Sequence, residues 1–185
     1  MGKQTITRKG NFDFAHRVLN EKFKCYNVHG HTYLYELTFQ FDSMERIGYA
    51  IDFKEIKRVA SQWIDDLLDH GVLVNPKDSA VIICAHDTNS KIWFMSLNGE
   101  SNYCNPTVEN IAKEIFLAMK ILFSEYKSLK INKVKIYETP NCFTVCKNKS
   151  ISKIEEENFN KKNYNSIFEY AKEKGIVIYD DRSNI

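Results

Sequence analysis

One run of alternating residues limits what this chain can fold into. From Thr32 to Phe41 (TYLYELTFQF), Tyr33, Tyr35, Leu37, Phe39 and Phe41 recur at every second position, which predicts a β-strand with one buried face. The same period carried backwards puts His31 and His29 on that face. Gly30 between them turns away and leaves room for a neighbouring group. Cys25 lies just upstream, so one thiol and two imidazoles fall in the short stretch CYNVHGH. Two imidazoles spaced this way on a strand face reach one metal ion, and a metal held by protein needs at least a third ligand.

The preceding strand offers that ligand. Residues 5–16 (TITRKGNFDFAH) put Phe12, Phe14 and His16 on one face. If the two strands pair antiparallel across a loop from Arg17 to Val28, the end of the first lies beside the start of the second. His16 is then expected next to His29 and His31, with Cys25 in the connecting loop. Three imidazoles plus an open position is the pattern of a catalytic zinc site. A closed structural site takes Cys25 as its fourth ligand, and the C-x3-H-x-H spacing admits both.

Farther along, Asp52-Phe53-Lys54-Glu55 has the residues of a helix start with a capping box. Ile56, Val59, Ala60, Trp63, Ile64, Leu67 and Leu68 continue it with helical period towards a stop at Gly71. Asp69 and His70 therefore fall at a helix C-terminus, where the macrodipole disfavours a carboxylate, so propensity does not account for Asp69. Residues 75–104 carry two short apolar runs, Ala80–Cys84 and Lys91–Met95, expected as an inserted β-hairpin with His86 in solvent near its tip. Thr107 caps a second helix with its stripe from Val108 to Leu122. Glu109 in its first turn is explained by the dipole. Lys133–Glu138 and Cys142–Cys146 are expected as the last two core strands. Glu138 ends the first of them on an otherwise apolar face, where an unpaired carboxylate is costly. Residues 147–163 read as a linker by composition, Ser166–Lys174 as a short helix stopped at Gly175, and Ile176–Tyr179 as an edge strand.

This order of elements in 185 residues predicts one α+β domain with an antiparallel sheet. A net charge of +2 leaves no nucleic-acid footprint. No apolar run reaches membrane-spanning length, and the first residues lack a signal peptide. Five cysteines without framework spacing fit a reduced, cytoplasmic protein.

Six segments recur in order: Phe12-Asp13-Phe14-Ala15-His16-Arg17, the run from Lys24 to Thr32, Ile51-Asp52-Phe53, Leu68-Asp69-His70, the run from Asn105 to Asn110, and Tyr137-Glu138-Thr139. Together they resemble the 6-pyruvoyltetrahydropterin synthase and 6-carboxytetrahydropterin synthase family across residues 5–148. The C-x3-H-G-H spacing is similar to the bacterial 6-carboxy-5,6,7,8-tetrahydropterin synthases of queuosine biosynthesis. The resemblance implies a tunnelling fold (T-fold), an antiparallel four-stranded sheet with two helices on one face. It would occupy residues 1–148, with the insertion at 75–104 and a C-terminal extension at 149–185. It also implies a homo-oligomer, a hexamer of two trimers, with active sites between subunits, and no nucleic-acid or membrane partner.

The same resemblance implies zinc on His16, His29 and His31, Cys25 as general base, and Asp69 with His70 as its proton relay. Glu138 would clamp the pterin ring and take part in the relay. The implied reaction turns 7,8-dihydroneopterin triphosphate into 6-carboxytetrahydropterin, acetaldehyde and triphosphate, a carbon–carbon lyase reaction. The alternatives are a 6-pyruvoyltetrahydropterin synthase, a carbon–oxygen lyase that eliminates triphosphate without cleaving the side chain, and a non-enzymatic pterin-binding T-fold protein with structural zinc. Arg17, Lys22 and Lys24 flank the site and are candidates for the triphosphate.

Overall fold

A computed structural model of the chain describes residues 4–19, 22, 24–98, 104–126 and 128–175. Its spine is the pair β1 (Gln4–His16) and β2 (His29–Phe41), antiparallel without a break from Gln4 opposite Phe41 to His16 opposite His29. The alternation is realised as predicted: Phe12, Phe14, Tyr33, Tyr35, Leu37 and Phe39 are all buried on one face. That face meets the helices, and burial of these aromatic side chains supplies much of the driving force for folding.

After β2 come α1 (Phe53–Ile56), a π-helical turn at Lys57–Ser61, and α2 (Gln62–Leu67). Asp52 caps α1 by accepting from the Lys54 N–H, while Glu55 pairs with Arg58. The chain turns sooner than Gly71. His70 takes the left-handed conformation with φ 56°, and Gly71 already opens β3 (Gly71–Val74). Glycine is needed there for a different reason. A Cβ at Gly71 would stand 3.0 Å from the Leu68 carbonyl oxygen and 3.2 Å from that of Lys91.

The hairpin expected over 75–104 does not form. Ala80–Cys84 falls inside a helix, α3 (Ser79–Asp87), and the second run gives β4 (Ile92–Phe94), which lies parallel to β3. A short apolar run does not distinguish strand from helix. Asp78 decides, because its side chain caps α3 by accepting from Val81, and Val81 and Ala85 are then buried one turn apart. Among the described residues the sheet consequently has six strands in the order β4-β3-β1-β2-β5-β6, where four were expected. The four antiparallel strands are β1, β2, β5 (Leu129–Thr139) and β6 (Cys142–Lys147), and the two short strands extend the β1 edge in parallel. The class is α+β.

Thr107 caps α4 (Val108–Leu122) as expected, accepting from Asn110. From residue 153 on, the polar stretch read as a linker is instead the first half of α5 (Lys153–Lys174), with a reciprocal capping box between Ser152 and Glu155. Its composition misleads because Phe159, Asn163, Ile167 and Ala171 alone are buried, one residue per turn. Gly175 ends it at φ 52°, as predicted. The edge strand expected at Ile176–Tyr179 lies outside the described residues. Phe159, Ile167 and Ala171 join the same core as Trp63, Ile115 and Phe116, and Lys113–Glu155 at 2.6 Å ties α5 to α4. Among the described residues no helix is long and apolar enough to cross a membrane.

Candidate active site

The three histidines converge as the hairpin register requires. His16 stands opposite His29, and the ring centroids are 4.6 Å apart for His16–His29, 5.0 Å for His29–His31 and 5.6 Å for His16–His31. One ring nitrogen from each lies within 4.8 Å of the others. His16 is buried, and its Nδ1 lies 2.7 Å from the Pro106 carbonyl oxygen. A carbonyl only accepts, so Nδ1 carries the hydrogen and Nε2 keeps its lone pair. His29 repeats the arrangement, with Nδ1 2.7 Å from the Asn27 carbonyl oxygen. Burial pushes the His16 pKa down; the Pro106 carbonyl opposes this, and charge on His29 or His31 adds to the depression. Imidazoles whose Nδ1 hydrogens are held by backbone carbonyls, as in His16 and His29, offer Nε2 to a metal, and with His31 they make a three-imidazole donor set that fits zinc.

Tyr33, two residues beyond His31 on the same face, joins this cluster to Glu138. Its hydroxyl lies 3.1 Å from His16 Nε2 and donates to Glu138 Oε1 at 3.2 Å. Burial pushes the phenol pKa far up, and the charges of Glu138 and Cys25 push it farther. Glu138 therefore has a partner at its strand end. The β5–β6 register shifts between Tyr137 and Thr139, and the bulge sets Glu138 apart from the ladder. Tyr33 was not singled out from the sequence, although its place in the alternation carried the signal.

Asp69 and His70 form a second cluster. Asp69 Oδ1 accepts from the Asp13 N–H at 2.7 Å, and Oδ2 accepts from His70 Nδ1 at 2.6 Å. Burial pushes the Asp69 carboxyl up, but the Asp13 N–H and His70 outweigh it and hold it below the ordinary carboxylate value. The Asp69 hydrogen bond raises His70. With Nδ1 engaged, the exposed His70 ring presents Nε2 outward. Asp13, Asp69 and His70 bring their polar atoms within 4.8 Å of one another. Asp13 alternates with Phe12 and Phe14, so this group gathers on the sheet face opposite the three histidines. There an open cleft of about 520 Å³ is lined by Asp13, Gly30, Thr32, His70 and Val72, and His31 also borders it. A larger cavity of about 630 Å³, lined by Phe116, Phe123 and Leu129, contains none of these groups.

Cys25 is exposed, in a 3-10 turn at Lys24–Tyr26. Among the described residues it belongs to neither cluster. Arg17, a triphosphate candidate by position, has its fork taken by Asp78. That pairing joins residues far apart in sequence, and no local pattern announces it. Lys22 and Lys24 are exposed. His86 is exposed as expected, on the last turn of α3.

Residues 5–149 match the family model described as 6-pyruvoyl tetrahydropterin synthase. Over 142 residues the chain is 34% identical to the 6-carboxy-5,6,7,8-tetrahydropterin synthase of Rickettsia felis, covering 74% of this chain and 95% of that protein. It is 28% identical over 144 residues to the enzyme of the same name from Haemophilus influenzae, covering 75% and 94%. Among solved structures, an uncharacterized protein of Wolinella succinogenes superposes with a TM-score of 0.61 at 19% identity, covering 80% of this chain and 99% of that one. The Caenorhabditis elegans 6-pyruvoyl tetrahydropterin synthase gives 0.50 at 24% identity, covering 80% and 96%. These likenesses place the sheet and its helices in the T-fold.

Proposed function

Because this chain belongs to the 6-pyruvoyl tetrahydropterin synthase family, we propose that it is a 6-carboxy-5,6,7,8-tetrahydropterin synthase. It is a lyase that converts 7,8-dihydroneopterin triphosphate and one water into 6-carboxytetrahydropterin, acetaldehyde and triphosphate, the water supplying the third oxygen of the carboxyl and aldehyde products. We further assign it zinc on His16, His29 and His31, a cytoplasmic location, and a product that feeds 7-deazaguanine (queuosine) synthesis. The observation that carries the reading is the convergence of three imidazoles, two of them with Nδ1 fixed by backbone carbonyls. When bound, zinc supplies Lewis acidity to the hydroxyls of the substrate side chain.

The chain's own residues do the rest. Cys25, on its exposed turn, takes the proton released from the side chain. Asp69 fixes the His70 tautomer, so Nε2 is free to relay that proton. Glu138 offers its carboxylate to the 2-amino and ring N–H groups of a pterin, with Tyr33 holding Oε1 in place. Proton abstraction, loss of triphosphate and side-chain cleavage follow in that order.

Because the three histidines and the Asp69–His70 pair stand on opposite faces of β1, the relay draws on two subunits of a homo-oligomer. The expected assembly is a hexamer of two trimers.

The deciding experiment incubates zinc-loaded protein with 7,8-dihydroneopterin triphosphate and identifies the products. Acetaldehyde with the 6-carboxy product supports this reading. A pyruvoyl product without acetaldehyde supports the 6-pyruvoyl alternative. No turnover, with sulfur in the zinc shell by X-ray absorption, leaves a non-enzymatic pterin-binding protein with Cys25 as the fourth ligand.

A further inference from the structure

We propose that Asp78 is a positioning residue for Cys25, acting through Arg17 and Tyr26. The inference rests on the proposed role of Cys25 as general base. The connection from β1 to β2 carries that thiol outside the sheet, so something other than strand pairing must hold it.

Two kinds of anchor are present. Asn105 holds the backbone of Leu19 from both sides: its Oδ1 accepts from the Leu19 N–H at 3.1 Å, and its Nδ2 donates to the Leu19 carbonyl at 2.9 Å. Asn75 in turn donates to Asn105 Oδ1 at 2.7 Å. This anchor fixes the beginning of the connection, next to Val18, and does not touch the Cys25 turn with a side chain among the described residues.

The second anchor does. Asp78 is 3% exposed, and both its carboxylate oxygens accept from Arg17, Nε to Oδ2 and Nη2 to Oδ1, each at 2.5 Å. A bidentate fork of this kind fixes the guanidinium plane as well as its position. The guanidinium carbon lies 5.0 Å from the centroid of the Tyr26 ring. Tyr26 is 46% exposed, and the guanidinium covers part of its ring. Tyr26 belongs to the same turn as Cys25. The turn is closed by Asn27 N–H to the Lys24 carbonyl at 3.0 Å, and it returns to Arg17's neighbour through Val18 N–H to the Cys25 carbonyl at 2.8 Å. Asp78 thus reaches Cys25 through two contacts, guanidinium and ring. It comes from the segment between β3 and α3, which gives the 75–104 region a task at the active site. With Nε and Nη2 engaged in this way, Arg17 acts as a clamp on the turn.

The test is Asp78→Asn, which keeps an oxygen to cap α3 at Val81 and removes the charge that holds the fork. Amide hydrogen exchange reads the clamp directly. The Val18 amide should exchange about tenfold faster while that of Leu37 in β2 is unchanged, as for a local opening. In zinc-loaded protein, kcat should fall about tenfold or more with KM within about twofold, as for a displaced catalytic group. Tyr26→Ala should reproduce both effects, and the double variant should be no worse than the more affected single variant, because the residues act in series. Unchanged exchange at Val18 overturns the proposal. So does a raised KM with intact kcat, which would return Arg17 to substrate binding, and so do fully additive losses. A wild-type protein without turnover sinks the functional reading alone, since the exchange measurement still reports whether Asp78 holds the Cys25 turn.

Discussion

Asp69 stands where helix electrostatics oppose a carboxylate, and its surroundings explain why it is there. The helix ends at Leu67, and Lys91 Nζ donates to the carbonyls of Asp65 and Asp69, at 2.9 and 2.7 Å, so a cation already meets the C-terminal end. The side chain is thereby free to accept from Asp13 with one oxygen and from His70 with the other. Asp69→Asn keeps an acceptor for the Asp13 N–H but turns an N–H₂ towards His70 Nδ1, which forces the other imidazole tautomer. We expect kcat to fall about a hundredfold or more, the range of a lost acid–base group, with the urea midpoint nearly unchanged. A kcat within twofold of wild type would remove Asp69 and His70 from the relay. The thiol is tested separately. Cys25→Ala should retain one zinc per chain and lose turnover, whereas His31→Ala should lose the zinc. Metal analysis after dialysis decides, and zinc lost with the thiol would make Cys25 a ligand.

At the level of elements, what the sequence made legible and what it hid have separate physical causes. The β1–β2 pair was legible because period-two burial is imposed by the backbone itself, and antiparallel register then carries His16 to His29 without further information. α3 was misread because an apolar run of five residues has no period of its own; the cap at Asp78 is the information that decides. α5 was hidden because a helix that buries only Phe159, Asn163, Ile167 and Ala171 has the composition of a linker. Its contacts to α4 are partly ionic, which makes them sensitive to acid. Burial pushes the Glu155 carboxyl up, but Lys113 Nζ at 2.6 Å and the Ser152 N–H and hydroxyl hold it below its ordinary 4.5. A depressed carboxyl stabilises the folded chain above its unfolded pKa, and that contribution is lost as pH falls through the folded value. Glu155→Gln, which can still close the capping box, should therefore cost about 1.5–3 kcal/mol at pH 7, the range of a hydrogen bond to a charged group, and less as pH falls through the folded carboxyl's depressed pKa, so less at pH 3. Urea unfolding at the two pH values gives the difference. An equal cost at both would mean that the charge on Glu155 does not tie α5 to α4.

Among the described residues of the molecule one face of the sheet is left uncovered, and that face is not uniformly polar. Asn11, Leu34, Tyr137 and Phe143 stand opposite one another in consecutive strands, forming a row across the sheet. Leu34 and Phe143 are exposed, as is Val145 farther along β6. Lys135 Nζ lies 4.4 Å from the Tyr137 ring centroid and 3.7 Å from that of Phe143, so its charge lies within the row. Among the described residues β6 is also an edge strand, the kind of edge that a second chain can extend. The Asp69–His70 pair and the three histidines occupy opposite faces of β1, and Cys25 groups with neither, so in the proposed homo-oligomer a neighbouring copy would bring the pair to the thiol. The proposed homo-oligomer therefore makes a prediction that separates metal binding from chemistry. A Phe143→Asp, Val145→Asp double variant places two carboxylates on the edge strand, where they would face a partner. It should sediment as a smaller species than wild type and keep its circular dichroism spectrum, since neither side chain belongs to the core. It should also keep its zinc, because His16, His29 and His31 come from one hairpin of one chain. Its turnover should fall at least about a hundredfold, as for loss of a general acid–base partner. A dissociated variant with full activity would show that Cys25 and His70 work within one chain.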